Sequence, residues 1–354
     1  MVSPGEISTH IRLRFSQVRD ALASLAEADL LDDGNPPRPP AGPERPDRVV
    51  VPPPDLDARL GETAATSHLR LMGHDLRLDF STEALAKSLA PIIASLAERW
   101  PSSPTSAHGP ARELALIEDD EGIVYGCDQG QAVYSSTNER SAAAVLERLL
   151  FRGALYETDC VLTLHCGSVG IGGRDGAGHP AAWLALPAAP RSGKTTLTAA
   201  LAHAGFECGG DELLALRDDF AARPMDYPLC IKEKSWPVLA GRFPELADLP
   251  IYQRKAFLVR YLSPRPSAAQ TDWRPIAAFV FPRYVEDTKT DLSPLDPLAG
   301  MQRLFSQCMS VPQPLTLEDV GGIVEFCART PSYELELSDL SAAVDAVRKL
   351  AATL

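Results

Sequence analysis

Residues 181–217, AAWLALPAAPRSGKTTLTAALAHAGFECGGDELLALR, restrict the fold of this 354-residue chain more than any other stretch. An apolar run enters a turn, the sequence Ser192-Gly193-Lys194-Thr195-Thr196 opens an alanine- and leucine-rich segment, and a second apolar run carries the adjacent pair Asp211-Glu212. The pattern predicts a strand over 182–186, a helix over 195–204 and a strand over 213–216. Gly205 suits the left-handed position that ends a helix. Strand, loop, helix and strand in that order form a βαβ unit, so the class expected is α/β.

The turn has the spacing of a phosphate-gripping loop, GxxxxGK[ST], whose glycines let successive backbone N–H groups face an anion. The matching residues are Ala188-Ala189-Pro190-Arg191-Ser192-Gly193-Lys194-Thr195. The second glycine, the lysine and the threonine are present, whereas Ala188 replaces the first glycine and Pro190 has no N–H to donate. In this role Lys194 neutralises the β- and γ-phosphates and Thr195 offers its hydroxyl to Mg²⁺. Arg191, Ser192, Gly193 and Thr196 complete the cofactor-binding set. The alternative is an ordinary strand-to-helix turn capped by the same residues.

Behind the helix, Asp211 and Glu212 could supply a carboxylate for Mg²⁺ and a base for an attacking hydroxyl. On a strand, neighbours point to opposite faces, so at most one of the two would aim at the phosphates. The competing reading is an acidic beginning to a strand, exposed to water. Three more polar residues interrupt apolar stretches: His165 at the end of a strand over 160–164, Lys232 in YPLCIKEKSW and Arg260 in LVRYLSP. Each could face the site or serve the core or a solvated strand edge.

Other features bound the class. With 34 Lys+Arg against 47 Asp+Glu the net charge is −13, and no basic run stands out, which argues against a dedicated nucleic-acid binder and against anchoring on anionic lipid. The 7 cysteines are scattered with no CxxC, as in a reducing compartment, and no apolar run is long enough for a bilayer. A cytoplasmic location is expected. Residues 6–31 have helical periodicity, and 35–54 (NPPRPPAGPERPDRVVVPPP) are too rich in proline for helix or central strand. Residues 68–80 alternate like a hairpin turning at 73–75, Ser81 is placed to cap a helix over 82–100, and strands over 114–117, 123–127 and 132–135 precede a helix over 141–150. The expected division is therefore 1–60 as helix and linker, 61–158 as an α+β region, and 159–354 as the α/β domain.

The order LHCGSV, SGKTTL, GFECGGDELLAL and YPLCIKEKSW resembles the catalytic domain of the HPr serine kinase/phosphorylase family, and more closely the HPr-kinase-related proteins. AAFVFPRY, the helix around 301–308 and RTPSYELELSDLSAAVDAVRKL extend the similarity over 160–354. The resemblance implies a P-loop kinase core with a mixed sheet, related to phosphoenolpyruvate carboxykinase. It also implies ATP and Mg²⁺ as cofactors, a serine-type hydroxyl of a protein or peptide as acceptor, and a homo-oligomer; free serine or another small-molecule alcohol is the alternative acceptor. Carried over, Lys194 and Thr195 match the loop lysine and the magnesium hydroxyl, His165 the histidine before the loop, and Asp211 and Glu212 the paired acids, one for Mg²⁺ and one as base. The chain departs from the family at Ala188–Arg191, where a glycine-rich segment is expected, and at Glu212, where HPr kinase has aspartate. It also lacks the segment associated with phosphorylase activity, so only the forward kinase reaction is expected.

Overall fold

The computed structural model describes residues 50, 52–99, 111–136, 141–156, 158–174, 180–189, 191–225, 227–254, 256–264, 273–310 and 315–354. The helix expected over 6–31 and most of the proline-rich stretch lie outside these. The protein is mixed α/β and divides into two compact units, each interrupted in sequence. One comprises Asp159–Met225 with Asp272–Leu354; the other comprises the described part of Pro43–Thr158 with Asp226–Thr271. The chain passes from one unit to the other at 158/159, and 226–271 group with the earlier region rather than with 159–354. None of the helices among the described residues is long and apolar enough to cross a membrane.

The first region begins with α1 (Leu56–Gly61), followed by the hairpin β1 (Ala65–Leu71) and β2 (His74–Phe80). Its turn is Met72-Gly73, both left-handed at φ 52° and 83°, so His74 and Asp75 belong to the strand rather than to the turn. Two left-handed residues match the twist of the flanking strands. Helix α2 (Glu83–Arg99) is capped by Thr82, whose Oγ1 accepts from the Leu85 N–H at 3.1 Å. Ser81, the expected cap, instead accepts from the Glu118 N–H at 2.9 Å. Strands β3 (Arg112–Glu118), β4 (Val124–Asp128) and β5 (Gln131–Ser135) complete a five-stranded sheet in sequence order, with only β2 and β3 parallel. Helix α3 (Ala142–Tyr156) runs past the expected end at 150 because Phe151 and Ala154 continue its buried face.

The other unit starts with β6 (Leu162–Leu164), β7 (Cys166–Arg174), β8 (Pro180–Pro187), α4 (Lys194–His203), β9 (Glu207–Gly210), β10 (Leu214–Leu216) and β11 (Ala222–Pro224). The intervening segment 226–271 contributes β12 (Leu229–Lys232), α5 (Trp236–Leu239), β13 (Tyr252–Arg254) and β14 (Phe257–Leu262), a small antiparallel sheet of order β12-β14-β13. The chain then returns as β15 (Ile276–Tyr284), β16 (Asp291–Leu295), α6 (Pro297–Phe305), β17 (Cys308–Ser310), α7 (Leu317–Arg329), β18 (Ser332–Leu337) and α8 (Leu340–Ala351).

The centre of this unit is a six-stranded mixed sheet of order β16-β18-β15-β8-β7-β9, in which β8, β15 and β18 are parallel. Strand β8 is apolar at successive positions because both its faces are buried. Leu184 and Leu186 face α4 and α8, packing with Leu197, Leu201, Val344 and Val347. Trp183 and Ala185 face the opposite layer, with Phe279, Met301, Phe305, Ile323 and the leucines of β6 and β10. That layer contains a second, antiparallel sheet of order β11-β10-β6-β17. Side-chain caps fix the surrounding helices: Asp296 starts α6, a Thr316–Asp319 capping box starts α7, and Asp339 starts α8.

Candidate functional site

The strand after α4 is β9, not the segment 213–216 expected from the sequence. Residues 214–216 form β10, which belongs to the four-stranded sheet. The chain therefore changes sheets at Asp211-Glu212-Leu213. It also changes sheets at His165, between β6 and β7. The two passages run side by side: Leu164 pairs with Leu214 in one sheet and Ser168 with Gly210 in the other. Both bends thus fall at the same level, and they bring His165 Nε2 within 3.4 Å of Glu212 Oε2. The His165 N–H is held by the Gln307 carbonyl at 2.8 Å.

This geometry corrects two readings. Asp211 and Glu212 lie in a bend between strands, so the alternation that would send them to opposite faces does not apply. Nor are they exposed: Asp211 is 2% and Glu212 8% accessible. The extra signal available in the sequence was Gly209-Gly210, since a side chain at 209 would approach Ser168 Oγ to 2.3 Å. Two glycines before the acids mark a place where strands cross closely.

The loop from β8 to α4 faces the same end of the sheet, because Cys166, which follows His165, pairs with Pro187 at the end of β8. Arg191 and Gly193 are left-handed, at φ 72° and 90°, on either side of Ser192. Gly193 makes that conformation inexpensive at the helix start. Helix α4 begins at Lys194 with no side-chain cap, and its first intrahelical donor is the Leu197 N–H, which reaches the Gly193 carbonyl at 2.9 Å. An uncapped N-terminus of this kind is suited to an anion. Ser192 Oγ is buried without a hydrogen-bond partner among the described residues, Thr195 and Thr196 are half-buried in the first turn, and Arg191 is exposed. Ala188, where the motif has its first glycine, is buried.

Lys194 is only 6% exposed. Its stem lies over β7 at Gly167, where an added methyl would stand 3.2 Å from Lys194 Cγ and 2.6 Å from Thr198 Oγ1. Lys194, Thr195 and His165 lie close enough to Asp211 to favour its ionised form. Burial first and the Glu212 charge second nevertheless hold the Asp211 carboxyl above its usual range. Asp211 Oδ1 is buried with no hydrogen-bond donor among the described residues. Two buried adjacent carboxylates with an unused oxygen fit a divalent cation, which would relieve both their repulsion and their desolvation. Cys166 lies beside Lys194 but is not a nucleophile, because burial pushes its thiol up to about 12.

The structure thus brings together His165, the 191–196 loop, Asp211 and Glu212. Lys232 and Arg260 belong to the other unit and serve its small sheet. Lys232 lies 5.3 Å from the Phe257 ring centre, while Arg260 stacks on Trp236 at 4.4 Å and donates to the Leu246 carbonyl. Gly167 and Gln307 carry no local signal in the sequence, because their significance depends on partners 27 or more residues away. A scan against protein-family models finds no match to this chain, and a search of curated proteins finds no similar sequence.

Proposed function

We propose that the protein is a Mg²⁺- and ATP-dependent kinase with a P-loop core of the HPr-kinase-related kind, transferring the γ-phosphoryl group to a serine-type hydroxyl of a protein or peptide. The observation that carries this reading is the convergence of buried Lys194, Asp211 and Glu212 with His165 and the uncapped start of α4 at one end of one sheet. Lys194 and the α4 N-terminus neutralise the phosphates. Thr195 and Asp211, which lie close together, would hold the cation. Bound Mg²⁺ supplies charge neutralisation on the β- and γ-phosphates. Glu212 accepts the proton of the attacking hydroxyl, and His165 at 3.4 Å orients its carboxylate.

The buried methyl of Ala188 favours a second reading, a nucleotide-binding or scaffold protein without turnover, since it stands where a glycine would leave room for the phosphate cradle. Calorimetric titration with ATP, with and without Mg²⁺, separates the readings when combined with ADP formation against free serine, peptides and carrier proteins. The kinase reading expects Mg²⁺-dependent binding and turnover, both lost in Lys194→Ala. Glu212→Gln is expected to keep binding and lose roughly 10²–10⁴-fold in rate. Binding without turnover for any acceptor selects the second reading; no binding at millimolar ATP removes both nucleotide readings.

A further inference from the structure

We propose that Tyr284 is the platform on which the nucleobase of the bound nucleotide stacks, which rests on the nucleotide reading above and gives it a direction. Most large apolar side chains of the unit are buried, yet Tyr284 is 53% exposed at the end of β15. It stands against the phosphate-binding turn. Its N–H donates to the Ser192 carbonyl at 3.0 Å, and a methyl on Gly193 would lie 3.8 Å from its Cβ.

Strand order fixes the polarity. In the central sheet β8, which leads to the loop, has β7 and then β9 on one side and β15 on the other. His165 precedes β7 and Asp211-Glu212 follow β9, so the histidine and both acids lie on the first side. Tyr284 lies on the second. Neighbouring strands are about 4.8 Å apart, so β15 stands about 10 Å from β7 and about 14 Å from β9 across the loop. A nucleotide with its β-phosphate at Gly193–Thr195 must present its γ-phosphate to the acids. Its sugar and base then leave towards β15. An exposed aromatic ring there offers a π-face to a base without selecting its hydrogen-bonding edge. Arg283, the neighbouring residue, is engaged with Glu334 and Glu336 and is thereby held on the sheet.

The test compares Mg·ATP with Mg·tripolyphosphate, which has the phosphates but no base, by calorimetry on the full chain. Tyr284→Ala is expected to raise the Kd for ATP roughly tenfold, as for loss of a base–aromatic stack, and to leave tripolyphosphate unchanged. Tyr284→Trp should retain ATP affinity. An unchanged ATP Kd in Tyr284→Ala overturns the platform, as does an equal loss for ATP and tripolyphosphate, which would make Tyr284 a support for the loop. Wild-type protein that binds tripolyphosphate but not ATP also overturns it. Binding of neither ligand overturns the nucleotide reading itself, and the platform with it.

Discussion

Asp211 is buried beside the carboxylate of Glu212 and near Lys194. Its carboxyl is held above the usual value, chiefly by burial and secondly by Glu212. A folded-state value above the unfolded one means that the native protein binds this proton more tightly. The contribution to stability is therefore full below the unfolded value of about 3.8 and is lost as pH rises through the folded one. Asp211→Asn removes the ionisation while keeping the shape. It is expected to raise the melting temperature at pH 7–8 by about 2–4 °C for each kcal/mol recovered, and to change it little near pH 4. Thermal melts across that range check the sign. A variant equally or less stable at pH 8 would show that Lys194 and Thr195 already offset the burial. The same substitution is expected to abolish Mg²⁺-dependent binding, so stability and function would move in opposite directions.

The close approach of α4 to β7 determines where Lys194 can be. Gly167 leaves room for the buried side chains of Lys194 and Thr198, and the Thr198 hydroxyl donates to the Lys194 carbonyl at 3.0 Å. Neither can withdraw easily, since Thr198 is branched and within the helix. Gly167→Ala should therefore push the helix start away from the sheet, costing about 1–3 kcal/mol as overpacking does. Urea denaturation would measure that loss. Combining it with Thr198→Ala, which removes the atom 2.6 Å from the new methyl, is expected to recover part of it. Additive losses would place the strain elsewhere.

The unit formed by Pro43–Thr158 and Asp226–Thr271 depends on two stretches separated by 67 residues of the other unit, Asp159–Met225. Tyr227 meets Phe151 edge-on at 5.4 Å and Tyr261 at 5.8 Å, while buried Glu147 pairs with Arg254 and accepts from the Tyr261 hydroxyl at 3.2 Å. A fragment 159–354 would keep Tyr227, Tyr261 and Arg254 but lose Phe151 and Glu147. Limited proteolysis of that fragment is expected to cut first within 226–271, at sites protected in the full chain. Equal protection would show that the small sheet β12-β14-β13 folds without its partner region.

The linear pattern was sufficient to locate most local elements, though not the cap of α2 or the exact turn between β1 and β2. Alternation located the β1–β2 hairpin, helical spacing and Gly205 located α4, and the order of Gly193, Lys194 and Thr195 located the loop. Each rests on residues within a few positions of one another, where backbone geometry dictates which side chains meet. What required the folded chain was long-range pairing. Periodicity cannot say which sheet a strand joins: the segment 213–216 reads as the strand completing the βαβ unit, yet 214–216 pair in the four-stranded sheet, and the acids lie in a bend where strand alternation does not apply. Burial of Asp211 and Glu212 follows from two strand pairs bending together at His165 and Asp211-Glu212. The place of Tyr284 beside Gly193, 91 positions earlier, follows from β15 lying against β8. Hydrogen bonding between distant strands, which local sequence does not encode, brought these residues into one site.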